Sequence, residues 1–203
     1  MPVIRVDPAD FQKLDLRCHA LLNDVPLHDV WAIPLPGGGP GRTVDDLRAL
    51  LHGGRWPAPN VAVRVLFALR RFLGRVFRWD EERHDAPGAS YVHRLTDADR
   101  LQSQVPPGSR AGRFRVLYVT QNEALSEIRN ATVHGFVALA LTHRERGYVV
   151  YAAIYVKVVS RFTALYMALI DPFRRFVVYP ALAQQIQQAW LRTYSESRPL
   201  ATR

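Results

Sequence analysis

Apolar and polar residues alternate with the period of β-strands through most of the second half of the chain. Four segments follow this pattern: residues 114–121, 124–129, 132–143 and 148–159. The connections between them are short, at 122–123, near Asn130 and at 144–147. Because strands joined by short turns pair antiparallel, the pattern predicts a meander within one sheet.

The first half and the end of the chain instead carry the apolar spacing and capping residues of helices. Asp7 and Pro8 form a helix start, and this helix is predicted to reach residue 22. Pro34 limits a short strand at 30–35 to an edge or strand end, and Pro180 should kink the last helix. Further helices are predicted after Thr43 to residue 52, at 61–79, at 97–102 and from residue 162 into the C-terminal region.

Strands that are segregated from helices in this way are typical of an α+β fold rather than a doubly wound sheet. We therefore predict an α+β fold in which an antiparallel sheet wraps on a long C-terminal helix, with other helices preceding the sheet. All 203 residues are assigned to a single domain, with a helical extension at 1–26. The polar stretch from 80 to 112 gives the weakest pattern and is predicted to be a long loop around the short helix at 97–102.

Both faces of the two longest predicted strands are apolar, whereas a sheet that packs against a single layer needs only one apolar face. Small residues such as Ala138 and Ala152 leave volume between bulkier neighbours. We therefore expect a cavity between the sheet and the C-terminal helix that takes a small apolar or amphipathic molecule. The candidate ligand-binding residues are His134, Phe136, Tyr118, Tyr151, Tyr155, Tyr166, Leu169 and Phe173.

The charge of the chain is strongly positive, with a net charge of +9 and a sequence pI of about 10.3. Nearly all of the basic residues are arginines, scattered without a basic run, so nucleic-acid binding is not expected. Four arginines form one stripe on the predicted helix at 61–79: Arg64, Arg71, Arg75 and Arg78. This stripe suits a solvated helix edge, and it also suits peripheral contact with a membrane or an anionic partner.

No spacing of residues predicts a metal site, a cofactor site or a set of catalytic residues. His134 is the only plausible acid or base, since it lies within an apolar strand, and Lys157 ends the same strand face. Glu123 and Glu127 are expected to be solvated. Cys18 has no partner for a disulfide, and the sequence shows neither a signal-peptide pattern nor an apolar span, so we expect a cytoplasmic protein.

Blocks of residues in the chain resemble a bacterial family catalogued only as domain of unknown function 2867. These blocks are LHDVWAIP at 27–34, LFALR at 66–70 with WD at 79–80, EIRNATVHG at 127–135, YMALIDPFR at 166–174 and VYPAL at 178–182. The resemblance covers about 27–194 and implies no assigned activity. The order of elements is similar to the helix-grip domains of the START and Bet v 1 type, which enclose an apolar cavity.

Three functions remain open from the sequence. The favoured one is binding of a small apolar or amphipathic molecule without catalysis. The second is an enzyme that acts in the same cavity with His134 as acid or base. The third is an interaction module that uses the arginine stripe on a membrane surface or a protein. A homodimer is compatible with each of them, because a partner subunit would also cover a second apolar face.

Overall fold

The alternating segments form the centre of an antiparallel sheet. The computed structural model describes residues 3–53, 89–129, 133–158 and 174–194. Its strands are β1 (Ile4–Arg5), β2 (Leu27–Pro36), β3 (Arg110–Ala111), β4 (Phe114–Val119), β5 (Glu123–Arg129), β6 (Val133–Arg144) and β7 (Gly147–Val158). Within these residues the seven strands follow the order β1-β2-β7-β6-β5-β4-β3, with every pair antiparallel. This confirms the predicted α+β fold and the meander.

The helices of the described residues precede, interrupt and follow this sheet. They are α1 (Pro8–Gln12), α2 (Arg17–Leu21), α3 (Val44–Gly53), α4 (Asp97–Gln102) and α5 (Tyr179–Tyr194). A 3₁₀ turn at Tyr91–Arg94 and a π-helical turn at Arg174–Val178 complete the set. The predicted helix at 61–79 and the first part of the predicted C-terminal helix lie outside the described residues. None of the helices within the described ranges combines the length and apolar character needed to cross a membrane.

Alternation along the strands divides the core into two clusters, one on each face of the sheet. The α1–α2 face carries Val30, Tyr118, Leu125, Phe136 and Ala153, which pack with residues from α1, α2 and the 3₁₀ turn. The α5 face carries Ile33, Leu35, Val119, Leu141 and Val150, which pack with residues from α3 and α5. These two names are used below for the two faces.

Helix α5 lies along strand β2 and runs in the same direction. Gln187 donates to the Pro34 carbonyl at 2.8 Å, and Trp190 Nε1 donates to the Pro36 carbonyl at 3.1 Å. Strand β1 pairs only with residues 31 and 32 of β2, so these carbonyls lie where that edge has no strand partner within the described chain. Pro34 pairs with Val149 of β7 on one side and is tolerated because the other edge of β2 has no strand partner there within the described residues.

The N-terminal helix differs from its prediction, because the chain breaks between α1 and α2. Asp7 caps α1 as expected, accepting from the Ala9 N–H at 2.8 Å. Glu123 of β5 then accepts from the backbone N–H groups of Arg17 and Cys18, each at 2.9 Å. A carboxylate at the first turn satisfies amides that have no partner within the helix, so it stabilises a new helix start.

Two other helix starts agree with the sequence. Thr43 and Asp46 cap each other's backbone N–H groups at the start of α3. Thr96 and Asp99 do the same at the start of α4, which spans the predicted residues inside the polar segment. The residues of each box are close in sequence; the sequence predicted the helix start at Thr43 and the short helix at 97–102, and the structure adds the capping box at Thr96.

Candidate functional site

The predicted ligand-binding residues of the sheet lie together on the α1–α2 face. Register places Phe136 opposite Tyr155 and His134 opposite Lys157 on the two central strands. Tyr118, His134, Phe136 and Tyr155 are buried in the packed core, and Tyr151 is partly buried beside Phe11. The remaining candidates lie outside the described residues: Tyr166, Leu169, Phe173, Arg64, Arg71, Arg75 and Arg78.

This placement separates the sheet candidates from the C-terminal helix. The described part of that helix, α5, packs on the opposite face with Ala183, Ile186 and Trp190. The sequence alternation assigned residues correctly to two faces, but it did not show which face each helix covers. The expected cavity between the sheet and the C-terminal helix must therefore be sought among other residues of β2, β6 and β7.

His134 makes a buried pair with Glu127 on the α1–α2 face. The two side chains are 2% and 1% exposed, and His134 Nε2 lies 3.0 Å from Glu127 Oε2. Ser90 and the Tyr91 N–H also donate to this carboxylate. Burial alone would raise the pKa of Glu127, but the hydrogen bonds from His134, Ser90 and Tyr91 outweigh it and hold the pKa below its ordinary value.

A second polar group lies next to this pair at the end of the sheet. Lys157 donates to Asp24 at 3.1 Å and to the Tyr91 hydroxyl at 2.9 Å, while Arg94 donates to both oxygens of Asp24. The hydrogen bond from Arg94 is the main reason that the pKa of Asp24 lies well below its usual range. Lys157 is thus a tethered strand end that ties the 3₁₀ turn to β7.

Glu123 occupies a third buried position, among Cys18, Tyr118 and the start of α2. Tyr118 donates its hydroxyl to Glu123 at 2.5 Å, and Cys18 Sγ lies 3.9 Å from the Tyr155 hydroxyl. Burial raises the pKa values of both Tyr118 and Cys18. The expectation that Glu123 and Glu127 are solvated is wrong, because helix α2 and the 3₁₀ turn bring backbone donors onto them.

The α5 face has a different character towards the start of β2. Here five apolar side chains are only partly buried, although they lie on the central strands: Trp31, Val137, Leu139, Ala152 and Ile154. They are neighbours across the sheet, since Trp31 pairs with Ala152 and Ala152 with Leu139, while Ile154 pairs with Val137 in the adjacent row. We call these five residues the apolar patch.

A charged cluster adjoins the apolar patch at β2. Asp29 is fully buried and pairs across the strands with Ile154. Its Oδ1 accepts from Arg5 Nε at 2.8 Å, and its Oδ2 lies 3.5 Å from Arg175 Nε in the π-helical turn. Arg5, Asp29 and Arg175 form the Asp29 cluster. No sequence motif singled out these residues, although alternation along β2 places Asp29 and Trp31 on one face.

Other candidate chemistry within the described ranges is structural. The glycine-rich loop after β2 is held by its aromatic neighbours, because Tyr148 donates its hydroxyl to the Gly39 carbonyl and Trp190 packs on Gly38. No group of three or more His, Cys, Asp or Glu side chains there is arranged to hold a metal ion.

The fold defines the class of protein as an α+β, helix-grip-like domain with an antiparallel sheet and a C-terminal helix on one of its faces. The chain belongs to the family described as Protein of unknown function (DUF2867), whose model matches residues 21–181. This confirms the resemblance seen in the sequence blocks. A search of curated proteins and a search of solved structures each gave no match.

Proposed function

We propose that this protein binds a small apolar or amphipathic molecule at the apolar patch, beside the C-terminal helix. The observation that carries the proposal is the contrast along the α5 face. Towards the end of β2 this face is packed by Val44, Leu47, Ile186 and Trp190, which are nearly or fully buried. Towards the start of β2, the same face presents partly exposed apolar side chains.

Completing the burial of this surface is favourable, at about 25 cal/mol per Å² of apolar area. Ala152 has the smallest side chain of the five and stands between Trp31 and Leu139 in the row across the sheet, so the patch is lowest there. Small-molecule binding sites are typically concave and mostly apolar, with a few polar groups that orient the ligand. The Asp29 cluster supplies such polar groups at the β2 side.

The α1–α2 face supports ligand binding less well, because its candidate residues are occupied by protein contacts. Phe136 is fully buried, with its ring centroid 4.7 Å from that of Tyr91. His134 is enclosed by Glu127, Tyr91 and Phe136. The enzyme alternative, with His134 as acid or base, would require substrate to displace this packing, so we rank it second.

The experiment uses a panel of fluorescent fatty acids and sterols titrated into the full chain, followed by a photoreactive analogue of the tightest binder. We expect saturable binding, and covalent label on peptides that carry Val137, Leu139, Ala152 and Ile154. Absence of saturable binding would refute the proposal. Label confined to the 3₁₀ turn and α2 would move the site to the α1–α2 face and would also refute it.

The interaction module that uses the arginine stripe remains a separate proposal, since its residues lie outside the described ranges. Its test is binding to anionic liposomes at low and high salt. Exposed charges are screened by salt, so such binding should fall sharply as the salt concentration rises. Binding to the patch depends mainly on apolar contact and should change much less.

A further inference from the structure

We propose that the ligand of the apolar patch is an alcohol whose hydroxyl group binds between Asp29 and Trp31, while its apolar body lies on the patch. This inference rests on the proposed function and specifies the class of ligand. Two buried polar atoms of opposite hydrogen-bonding type carry it. They are Asp29 Oδ2, an acceptor, and Trp31 Nε1, a donor, and neither has a hydrogen-bond partner in the described part of the chain.

Asp29 provides the acceptor. Its side chain is fully buried, and its Oδ1 accepts a hydrogen bond from Arg5 Nε at 2.8 Å. Its other oxygen, Oδ2, lies 3.5 Å from Arg175 Nε in an ion pair that lacks the geometry of a hydrogen bond. A buried acceptor without a hydrogen bond costs free energy, and the cost is larger for a charged group. A ligand group that donates to Oδ2 would recover that free energy.

Trp31 provides the donor. Its Nε1 is buried, and its ring packs against Tyr179 with the centroids 5.7 Å apart. An indole N–H can only donate, so this atom needs an acceptor. Buried donors in native structures are nearly always paired, and an unpaired one is explained by a ligand or a water molecule.

Strand register places these two atoms on neighbouring side chains of one face. Asp29 and Trp31 are two residues apart on β2, a rise of about 6.6 Å, and their side chains point to the same side of the sheet. Their cross-strand partners, Ile154 and Ala152, both belong to the apolar patch. Arg5 also joins the two positions, because it pairs with Trp31 and donates to Asp29. The unpaired donor and acceptor therefore lie together at the β2 side of the patch.

A single hydroxyl group can satisfy both atoms. Its oxygen accepts from Trp31 Nε1 while its proton is donated to Asp29 Oδ2. With hydrogen bonds of about 2.8 Å each, one oxygen bridges two polar atoms that are up to about 5.6 Å apart. A carboxylate could not donate to Asp29, and an ammonium group could not accept from Trp31. The two atoms therefore select a neutral alcohol.

The π-helical turn covers this position. Arg175 approaches Asp29 from the turn, and Tyr179 packs on Trp31 where the turn meets α5. Single turns of π-helix are rare and occur frequently at functional sites. Because the two polar atoms are buried, entry of the hydroxyl group requires this turn to move away from β2.

The test compares decanol with decyl methyl ether, which share an apolar chain. The ether oxygen can accept from Trp31 but cannot donate to Asp29. Decyl fluoride controls for the extra methyl group of the ether, because its fluorine is close in size to a hydroxyl group and does not donate. Binding of each probe to the full chain is measured by calorimetry for the wild type, Asp29→Asn and Trp31→Phe. Asp10→Asn is the matched control, because it makes the same change at an exposed position on α1.

We expect the wild type and Asp10→Asn to bind decanol about tenfold or more tightly than the ether or the fluoride, as for a hydrogen bond to a charged group. Asp29→Asn presents an amide that can donate in place of Oδ2, so decanol and the ether should bind this variant about equally. Trp31→Phe removes the donor and some apolar surface, so both probes should bind more weakly while the preference for decanol remains. If Asp29→Asn does not fold, the comparisons in the wild type and Trp31→Phe decide.

Equal binding of decanol, ether and fluoride to the wild type would overturn the hydroxyl inference while the proposed function stands. An unchanged preference for decanol in folded Asp29→Asn would overturn it as well, because the hydroxyl group would then not donate to Asp29. Failure of every probe to bind would overturn both the inference and the proposed function.

Discussion

Two adjacent alanines lie on opposite faces of β7, so the same change at each of them can distinguish a binding surface from a packed core. Ala152 lies on the α5 face between Trp31 and Leu139 and is partly buried. Ala153 lies on the α1–α2 face between Val30 and Ala138, where it is fully buried. Ala152→Leu and Ala153→Leu therefore add the same group to the same strand in two different environments.

We expect Ala153→Leu to destabilise the protein by about 1–3 kcal/mol, because added methylene groups in a close-packed core force neighbouring side chains apart. With an m-value of about 2 kcal/mol/M, this corresponds to a fall of about 0.5–1.5 M in the urea midpoint. Ala152→Leu should cost less than about 1 kcal/mol, since the larger side chain also covers Trp31 and Leu139. It should, however, abolish uptake of the fluorescent ligand by filling the floor of the patch.

Stability is measured by urea unfolding with tryptophan fluorescence as the signal, and binding is measured by ligand titration of the folded variants. If Ala153→Leu does not accumulate as folded protein, Ala153→Val provides a smaller step of the same kind. Equal destabilisation by both leucine variants would show that the α5 face is as closely packed as the α1–α2 face. Wild-type ligand affinity in Ala152→Leu would show that the ligand does not contact this alanine.

Three further predictions concern the described core. Glu127→Gln should lower stability by about 1–3 kcal/mol at neutral pH. The folded-state pKa of Glu127 lies below the ordinary 4.5. Its contribution to the free energy of unfolding is therefore complete above pH 4.5 and is lost as the pH falls through the folded-state pKa. Acid unfolding curves that coincide for the variant and the wild type would contradict this prediction. The Cys18 thiol should resist alkylation in the folded protein and react after unfolding, since burial raises its pKa; rapid labelling of the native protein would show that α2 opens readily. Gly38→Ala should destabilise more than Gly37→Ala in thermal unfolding. Either alanine would have to adopt a positive φ, which costs about 1–2 kcal/mol. A methyl group at position 38 would in addition lie 2.5 Å from Trp190 Cζ2. Equal thermal unfolding midpoints for the two variants would exclude this contact.

The proposed site shows how far the sequence could lead towards function. Alternation identified the two-faced apolar strands, and it selected Ala152 as a position that leaves volume. It also directed attention to His134, Tyr118 and Tyr155, whose polar atoms looked suited to a ligand. In the structure these polar groups lie with buried carboxylates on the other face. A polar side chain in an apolar strand indicates that it has a hydrogen-bond partner, but the sequence does not show whether that partner belongs to the protein or to a ligand.

The sequence by itself determined the elements that depend on neighbouring residues. These elements are the alternating strands β4 to β7, the helix start at Thr43 and the short turn between β6 and β7. Each depends on residues close together in the sequence, so the pattern of residues predicts it. Only the tertiary structure decided which face α5 covers, where α1 ends and which carboxylates are buried. Glu123 caps α2 from more than a hundred residues away, and Arg175 reaches Asp29 across a similar separation. Contacts of this kind depend on how the sheet and helices pack, because no local pattern records which distant side chain will supply the partner.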